Sequence, residues 1–335
     1  MSANAAKRAI LVTGGAGFIG SHLVEHLVRQ GERVVVVDDL STGRTSNLRN
    51  VPERAVQFIH ARVSEALAHL APGDFSTIYH LAASVGVRLV IEQPIHTVEN
   101  NILETSAVLE FASREHTPLL LASTSEIYGK GSKTPFCEDD DVVYGPTIYS
   151  RWSYAVSKAI DEYLALAYHR SRNLPVVIAR FFNTVGPRQV GEYGMVLPRF
   201  VESALTGRAL EVHGDGQQSR CFCDVRDVVE VLPTLMGTKA CEGRIFNVGS
   251  DQSITILALA ELVLHTLGSN SRLQLVPYAE AFGAGFDDLR ERRPSIARLH
   301  EATGFAPKIA LVQTIRDLAK EIADNRSGAV ETAVR

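Results

Sequence analysis

A short apolar run, Ala9-Ile10-Leu11-Val12, leads into Gly14-Gly15-Ala16-Gly17-Phe18-Ile19-Gly20 and then into a segment of helical periodicity. An apolar run without alternation reads as a strand buried on both faces. Ile19, Leu23 and Leu27, with Val24 and Val28 beside them, mark a helix from Phe18 to Gln30 that Gly31 stops. Arg33-Val34-Val35-Val36-Val37-Asp38 is a second buried strand. Together these make one βαβ unit of about 30 residues. The glycines fit G-x-G-x-x-G from Gly15 and G-x-x-G-x-x-G from Gly14. They permit a tight turn, close approach of a pyrophosphate and packing of the helix on the strand. The first amides of the helix then face the phosphates. Gly14, Gly17, Phe18, Ile19 and Gly20 are therefore expected to bind a dinucleotide. Asp38 ends the second strand, where a carboxylate accepts from the adenosine ribose and repels a 2′-phosphate. NAD is expected over NADP, with Asp39 the weaker candidate for the same task.

The alternation continues. Strand-like runs lie at Gln57–Ile59, Thr77–Leu81, Leu119–Ala122 and Val176–Ala179, and helical stretches at Thr97–Arg114 and Arg151–Arg172. This order implies an α/β fold, a Rossmann-like doubly wound parallel sheet. Beyond about Pro187 the pattern breaks up, and Leu210–His213 and Ile245–Val248 read as a late strand pair. The organisation expected is an NAD-binding domain over 1–186, to which the chain returns around 223–248, a smaller α/β, mainly substrate-binding domain over 187–325, and a frayed tail over 326–335.

Composition narrows the function. A chain of 335 residues with 45% hydrophobic residues can bury a large core. A net charge of −4 argues against a nucleic-acid surface. The N-terminus shows no apolar signal region and no run is long enough for a bilayer, so a cytoplasmic chain with no membrane association is expected. The four cysteines, Cys137, Cys221, Cys223 and Cys241, form neither a disulfide framework nor a zinc-like set, and no metal is expected.

Tyr154-Ala155-Val156-Ser157-Lys158 is Y-x-x-x-K. Residues four apart share a helix face, so Tyr154 and Lys158 can point into one site. A tyrosine hydroxyl titrates near pH 10 (roughly), and a neighbouring ammonium together with a positive nicotinamide ring favours its phenolate. That makes Tyr154 a candidate general base for a substrate hydroxyl. Upstream, Leu119-Leu120-Leu121-Ala122 runs into Ser123-Thr124-Ser125-Glu126, placing Thr124, Ser125 and Glu126 at the carboxyl edge of a strand, where open α/β sheets bind ligands. Thr124 can hydrogen-bond the substrate hydroxyl. Glu126 is either a second acid/base or a cap for the next turn.

The glycine turn, Asp38-Asp39-Leu40-Ser41-Thr42-Gly43, His80-Leu81-Ala82-Ala83, Ser123-Thr124-Ser125-Glu126-Ile127-Tyr128-Gly129, the Tyr154/Lys158 pair and Arg180-Phe181-Phe182-Asn183-Thr184-Val185-Gly186-Pro187 together resemble the extended short-chain dehydrogenase/reductases over about residues 8 to 320. Within that superfamily the chain looks most like the UDP-glucuronate decarboxylases. The likeness is carried by Thr124-Ser125-Glu126, Arg151-Trp152-Ser153-Tyr154, and Gly285-Phe286-Asp287-Asp288 through Arg292-Arg293-Pro294-Ser295-Ile296. The resemblance implies that Leu81, Ala82, Ala83, Tyr154 and Lys158 also touch NAD. It implies catalytic roles for Thr124, Ser125, Glu126, Tyr154, Lys158 and Arg292, and substrate contacts at Val87, Arg88, Asn183, Arg220 and Arg292. It also implies a homodimer, built through the helix carrying Tyr154 and its neighbour.

The implied chemistry is oxidation of a nucleotide sugar, a UDP-sugar favoured, at C4. Tyr154 takes the hydroxyl proton and NAD the hydride. The 4-ketone is β to the C6 carboxylate, so carbon dioxide leaves readily. A 4-epimerase acting on a UDP-uronate or UDP-hexose needs only Thr124, Tyr154 and Lys158, and a 4,6-dehydratase shares the first step. A non-catalytic NAD-binding protein is the reading from another class. Three positions depart from the family. Arg62 stands where an Asp reads adenine, and it cannot accept a hydrogen bond. Glu104 stands where a Gly packs closely, and the loop Val85-Gly86-Val87-Arg88 differs near the sugar.

Overall fold

The strands in chain order are β1 (Ala9–Thr13), β2 (Val34–Asp38), β3 (Val56–His60), β4 (Phe75–His80), β5 (Leu119–Thr124), β6 (Val176–Phe181), β7 (Thr184–Val185), β8 (Leu210–His213), β9 (Ser219–Cys221), β10 (Cys223–Asp224), β11 (Arg244–Val248), β12 (Ser253–Thr255), β13 (Leu273–Val276) and β14 (Glu291–Arg292). The helices are α1 (Phe18–Arg29), α2 (Val63–Leu67), α3 (Pro94–Ser113), α4 (Ser153–Arg172), α5 (Val196–Thr206), α6 (Val225–Gly237), α7 (Ile256–Leu267), α8 (Tyr278–Phe282), α9 (Ala297–Thr303) and α10 (Leu311–Ala333). This is a computed structural model, and the residues it describes are 7–84, 92–149, 152–191, 195–282 and 289–333.

Seven parallel strands form the central sheet, in the order β11-β6-β5-β4-β1-β2-β3. Strand side chains alternate between faces, and here both faces are covered. Ile10, Val12, Val34, Val36, Leu120 and Val177 pack with α1 and α6 on one side. Leu11, Val35, Val37, Ile78, Leu119 and Ile178 pack with α2, α3 and α4 on the other. That arrangement explains why the strands read as continuous apolar runs. The order reverses between β1 and β4, and the crevice at the carboxyl ends of such neighbours is where ligands bind. A further core joins Leu197, Phe200 and Val201 of α5, Leu210 and Val212 of β8, Leu259 and Val263 of α7, and Ile315 and Leu318 of α10.

One expectation is corrected. The late strands are not partners. β8 pairs with β13, whereas β11 returns to the central sheet beside β6. Each buries its alternate residues in a different core, Val248 with the sheet and Val212 with α5 and α7. α10 continues to Ala333, into the segment read as a tail. Its polar composition hides a helix that is anchored at its first turns by Ile315 and Leu318. Among the described residues no helix is long and apolar enough to cross a membrane.

Candidate active site

A cleft of about 840 Å³ opens above the carboxyl ends of the central strands, a size suited to a cofactor and a small substrate together. The nine cofactor candidates from the glycine turn, Asp38 and the 81–83 segment, the six catalytic candidates, and Asn183 and Arg220 all line it. Val87, Arg88 and the segment Gly285-Phe286-Asp287-Asp288 lie outside the described residues, as does Arg151.

The turn after β1 is shaped for close approach. Gly14 has φ +71°, and a Cβ there would sit 2.7 Å from the Ala82 backbone nitrogen. At Gly20 a Cβ would lie 2.1 Å from the Gly14 carbonyl oxygen, so only glycine lets α1 pack on the turn. No acidic side chain occupies the first turn of α1, and Gly17 at its N-cap supplies no side-chain acceptor, leaving the amide end open to an anion. Asp38 is buried at the end of β2. Its Oδ2 accepts from the Ala16 amide and its Oδ1 from the Leu40 amide, each at 2.9 Å. Burial pushes the Asp38 carboxyl above its ordinary value, an effect these amides partly offset, and Asp38 lines the cleft. These features fit NAD: a glycine cradle, an anion-seeking helix end and a ribose acceptor.

The two departures near the adenine end answer each other. Glu104 on α3 is buried and accepts from the Ser64 amide at 2.6 Å and the Ser64 hydroxyl at 3.0 Å. Arg62 lies 3.3 Å from the same carboxylate and donates to Asn100 Oδ1 at 3.0 Å. The unexpected charge at Glu104 therefore caps α2 and pairs with Arg62, so it is not an isolated buried charge.

At the other end, β5 delivers Thr124 and a tight turn carries Ser125 and Glu126. Thr124 Oγ1 accepts from the Glu126 amide at 3.2 Å. Thr124 is thus the cap of that turn, and Glu126 lines the cleft. There its Oε1 lies 3.8 Å from Arg292 Nη1. Tyr154 and Lys158 lie one turn apart on α4, both buried, both on the cleft wall. Burial pushes the Tyr154 phenol well above its ordinary value, and the negative Glu126 adds to this. A hydrogen bond with Thr124 acts in the opposite direction. Lys158 Nζ donates to the buried Asp161 Oδ2 at 2.7 Å.

Arg292 is placed by sheet register. β14 pairs with β9 so that Arg292 stands beside Arg220, two buried guanidiniums on one wall. Arg220 Nη1 donates to the Ser219 and Leu289 carbonyls at 2.7 and 2.9 Å, and Asn183 Nδ2 donates to the Cys221 carbonyl at 3.0 Å. The segment after Arg292 is fixed by Phe136, whose amide donates to the Arg293 carbonyl and whose carbonyl accepts from the Ser295 amide, both at 2.8 Å. Paired arginines of this kind suit a carboxylate or a phosphate.

The sequence left some supports unnoticed. Asn101 on α3 accepts from the Ser84 amide at 2.8 Å and donates to Ser157 Oγ at 3.3 Å, tying α3 to the Tyr154 turn. Glu162 accepts from Arg180 Nε and Nη2 at 2.9 and 2.8 Å and from Ser123 Oγ at 2.6 Å, locking α4 to β5 and β6. Helical spacing from Lys158 was the available signal for Asp161 and Glu162.

Comparison with known proteins agrees with this geometry. The model of the NAD dependent epimerase/dehydratase family matches residues 10–249. A UDP-N-acetyl-alpha-D-glucosaminuronate decarboxylase of Bacillus cytotoxicus is 38% identical over 93% of this chain and 96% of its own length. UDP-glucuronic acid decarboxylase 4 of Arabidopsis thaliana is 37% identical, over 93% of this chain and 68% of that protein. Among solved structures, a UDP-glucose 4-epimerase of Thermus thermophilus in complex with NAD is similar with a TM-score of 0.80 and 31% identity, covering 93% of this chain and 98% of that one.

Proposed function

Since this chain belongs to the NAD-dependent epimerase/dehydratase family, we propose that it decarboxylates a UDP-linked hexuronate, with UDP-glucuronate as the favoured substrate. The observation that carries this reading is Arg292, buried beside Arg220 and facing Glu126 on the wall that holds Tyr154. A 4-epimerase of neutral hexoses needs Thr124, Tyr154 and Lys158 and has no carboxylate for an arginine to hold.

NAD, when bound in the glycine cradle, supplies the acceptor for the C4 hydride. Gly14, Gly17, Phe18, Ile19 and Gly20 would hold its phosphates, Asp38 its ribose, and Leu81, Ala82 and Ala83 the floor beneath it. Tyr154 takes the proton of the C4 hydroxyl, and Thr124 orients that hydroxyl through the hydrogen bond it shares with Tyr154. Ser125 lies beside them on the cleft wall. The resulting ketone is β to the carboxylate, so the C5–C6 electrons pass into the ketone as carbon dioxide departs. Arg292 would hold the carboxylate before that step, and Glu126, 3.8 Å from its guanidinium, would deliver the proton at C5. Asn183 and Arg220 are the candidates for the diphosphate.

The same reading treats 1–186 as the cofactor part, with β11 returned to it, and 187–325 as mainly the substrate part. It also includes a homodimer. Val156, Ile160 and Tyr163 recur at i, i+4 and i+7 on α4 and remain exposed, as does Leu103 on the adjoining α3. Two copies of this helix pair would bury that stripe in a four-helix arrangement. All four cysteines are thiols, which suits the reducing cytoplasm.

The test is incubation with NAD and UDP-glucuronate, and separately with UDP-N-acetylglucosaminuronate, followed by mass spectrometry of the sugar nucleotide. Loss of carbon dioxide from either supports the reading, and the preferred one names the substrate. A pentose rather than a 4-keto-pentose shows that the cofactor is recycled. A product of unchanged mass and new retention time establishes an epimerase and removes the role given to Arg292.

A further inference from the structure

Lys158 does not face Tyr154 as a lone charge. Its ammonium donates at 2.7 Å to Asp161, one helical turn further along α4, and both side chains are sealed from solvent. Lys158 lines the cleft and Asp161 does not, so the carboxylate sits behind the lysine, on the side away from ligands. Around the pair stand Tyr154 on the same helix, Glu126 and Arg292 on the cleft lining, His80 from β4, and Glu162 held by Arg180 of β6. On α3, Glu104 is turned to Ser64 and Arg62, and the Thr105 hydroxyl lies 3.2 Å from His80 Nε2 and also hydrogen-bonds Asp161. His80 is fully buried against Thr13 and Thr105 and stays neutral, so it contributes no charge. Asp161 is therefore the near countercharge of Lys158, with Glu162 committed to Arg180.

We propose that Asp161 is a positioning residue that anchors Lys158 from behind and balances its charge, so that Tyr154 becomes a base only once NAD⁺ adds a positive charge. This rests on the reading of Tyr154 as the general base. Two consequences follow from Coulomb's law in a poorly screened site. A lysine pinned by a buried carboxylate holds one rotamer, with its remaining protons directed at the cleft. A nearly neutral Lys158–Asp161 pair also gives the phenolate less support than a bare ammonium, so the Tyr154 proton is retained until the oxidised cofactor arrives. Burial of Tyr154 and the negative Asp161 both act in this direction.

The experiment is a spectroscopic titration of tyrosinate, taken as wild type minus Tyr154→Phe, on the protein stripped of cofactor and on the same protein reloaded with NAD⁺. The wild-type Tyr154 signal should titrate at lower pH with NAD⁺ than without. In Asp161→Asn the stripped protein should already titrate lower, by about one unit. The acidic limb of the kcat/KM profile should move the same way. Asp161→Glu, which keeps the charge, should keep the wild-type titration even if kcat falls. An Asp161→Asn enzyme that is uniformly slower with an unmoved titration would overturn the proposal, leaving Asp161 a packing residue. Should that variant not fold, the wild type still decides, because tyrosinate at neutral pH in the stripped protein overturns it equally. Failure of the base assignment looks different: Tyr154→Phe would then turn over normally.

Discussion

Tyr154 is the proposed base, and burial, Glu126 and Asp161 disfavour its phenolate while the hydrogen bond with Thr124 favours it. Catalysis by such a residue depends on charge that arrives with the ligands. Tyr154→Phe removes one oxygen from a buried ring, and it should leave NAD affinity within a few-fold of wild type while lowering kcat by roughly 10²–10⁴. Cofactor titration beside single-turnover product analysis separates the two effects, and retained turnover would remove Tyr154 from the mechanism. Arg292→Ala should lower kcat/KM for decarboxylation by about two orders of magnitude or more, because a charge-assisted fork is lost from a dry wall. NAD binding should persist, since Arg292 stands with Arg220 and Glu126, away from the glycine turn. A rate unchanged in Arg292→Ala would favour the epimerase alternative. Both residues were legible in the sequence, Tyr154 from its spacing to Lys158 and Arg292 from family likeness. The support of Lys158 by Asp161 was not, because it is decided by which way a lysine turns inside the fold.

At the scale of elements, the β1 turn and α1 form one unit with little tolerance. Gly20→Ala would place a methyl 2.1 Å from the Gly14 carbonyl oxygen, and backbone must move to relieve it. The expected cost is about 2–3 kcal/mol of stability, as for other overpacked sites. NAD affinity should fall at least about tenfold in the same variant, because the displaced amides are the proposed phosphate site. Thermal melting with and without NAD reads both, and a variant that melts and binds like wild type would show that the turn does not form the cradle. The sequence located this unit to within a residue, since strand, glycines and helix are contiguous. It treated Arg62 and Glu104 as separate anomalies. They lie on different elements, α2's N-cap and α3, and only their packing makes them one ion pair with a cap at Ser64. Glu126 is the same kind of case, with its role separated from capping by the Thr124 hydroxyl, which accepts the amide first.

Across the whole molecule, two predictions concern its stability and assembly. His80 and His22 are buried and neutral, their pKa values lowered by burial to about 3 and about 4. Unfolded histidines bind protons near pH 6.5 (roughly) while these do not, so stability is complete above that pH and falls as pH drops toward the folded values, by up to about 1.4 kcal/mol per group per pH unit. Urea unfolding across this window should show the decline, and His22→Gln should flatten part of it. His22 meets the Pro187 carbonyl at 3.0 Å and Arg188 pairs with Glu25, so this acid-sensitive joint also ties α1 to the chain beyond the sheet. For assembly, light scattering should report a dimer, and Tyr163→Glu on the exposed stripe of α4 should give a monomer that still melts cooperatively. A monomeric wild type would leave that stripe without a covering partner.

Local chemistry was enough to settle the strand and helix periods, the glycine cradle, the acidic end of β2 and the Tyr154–Lys158 spacing. Each depends on residues a few positions apart, and backbone geometry alone converts such spacing into a shared face or turn. Only the tertiary structure could separate β8 from β11, extend α10 through a polar tail, set Arg292 beside Arg220, and put Asp161 behind Lys158. Those outcomes depend on which distant surfaces bury one another, and a pattern of apolar residues states that a face is buried without naming what covers it.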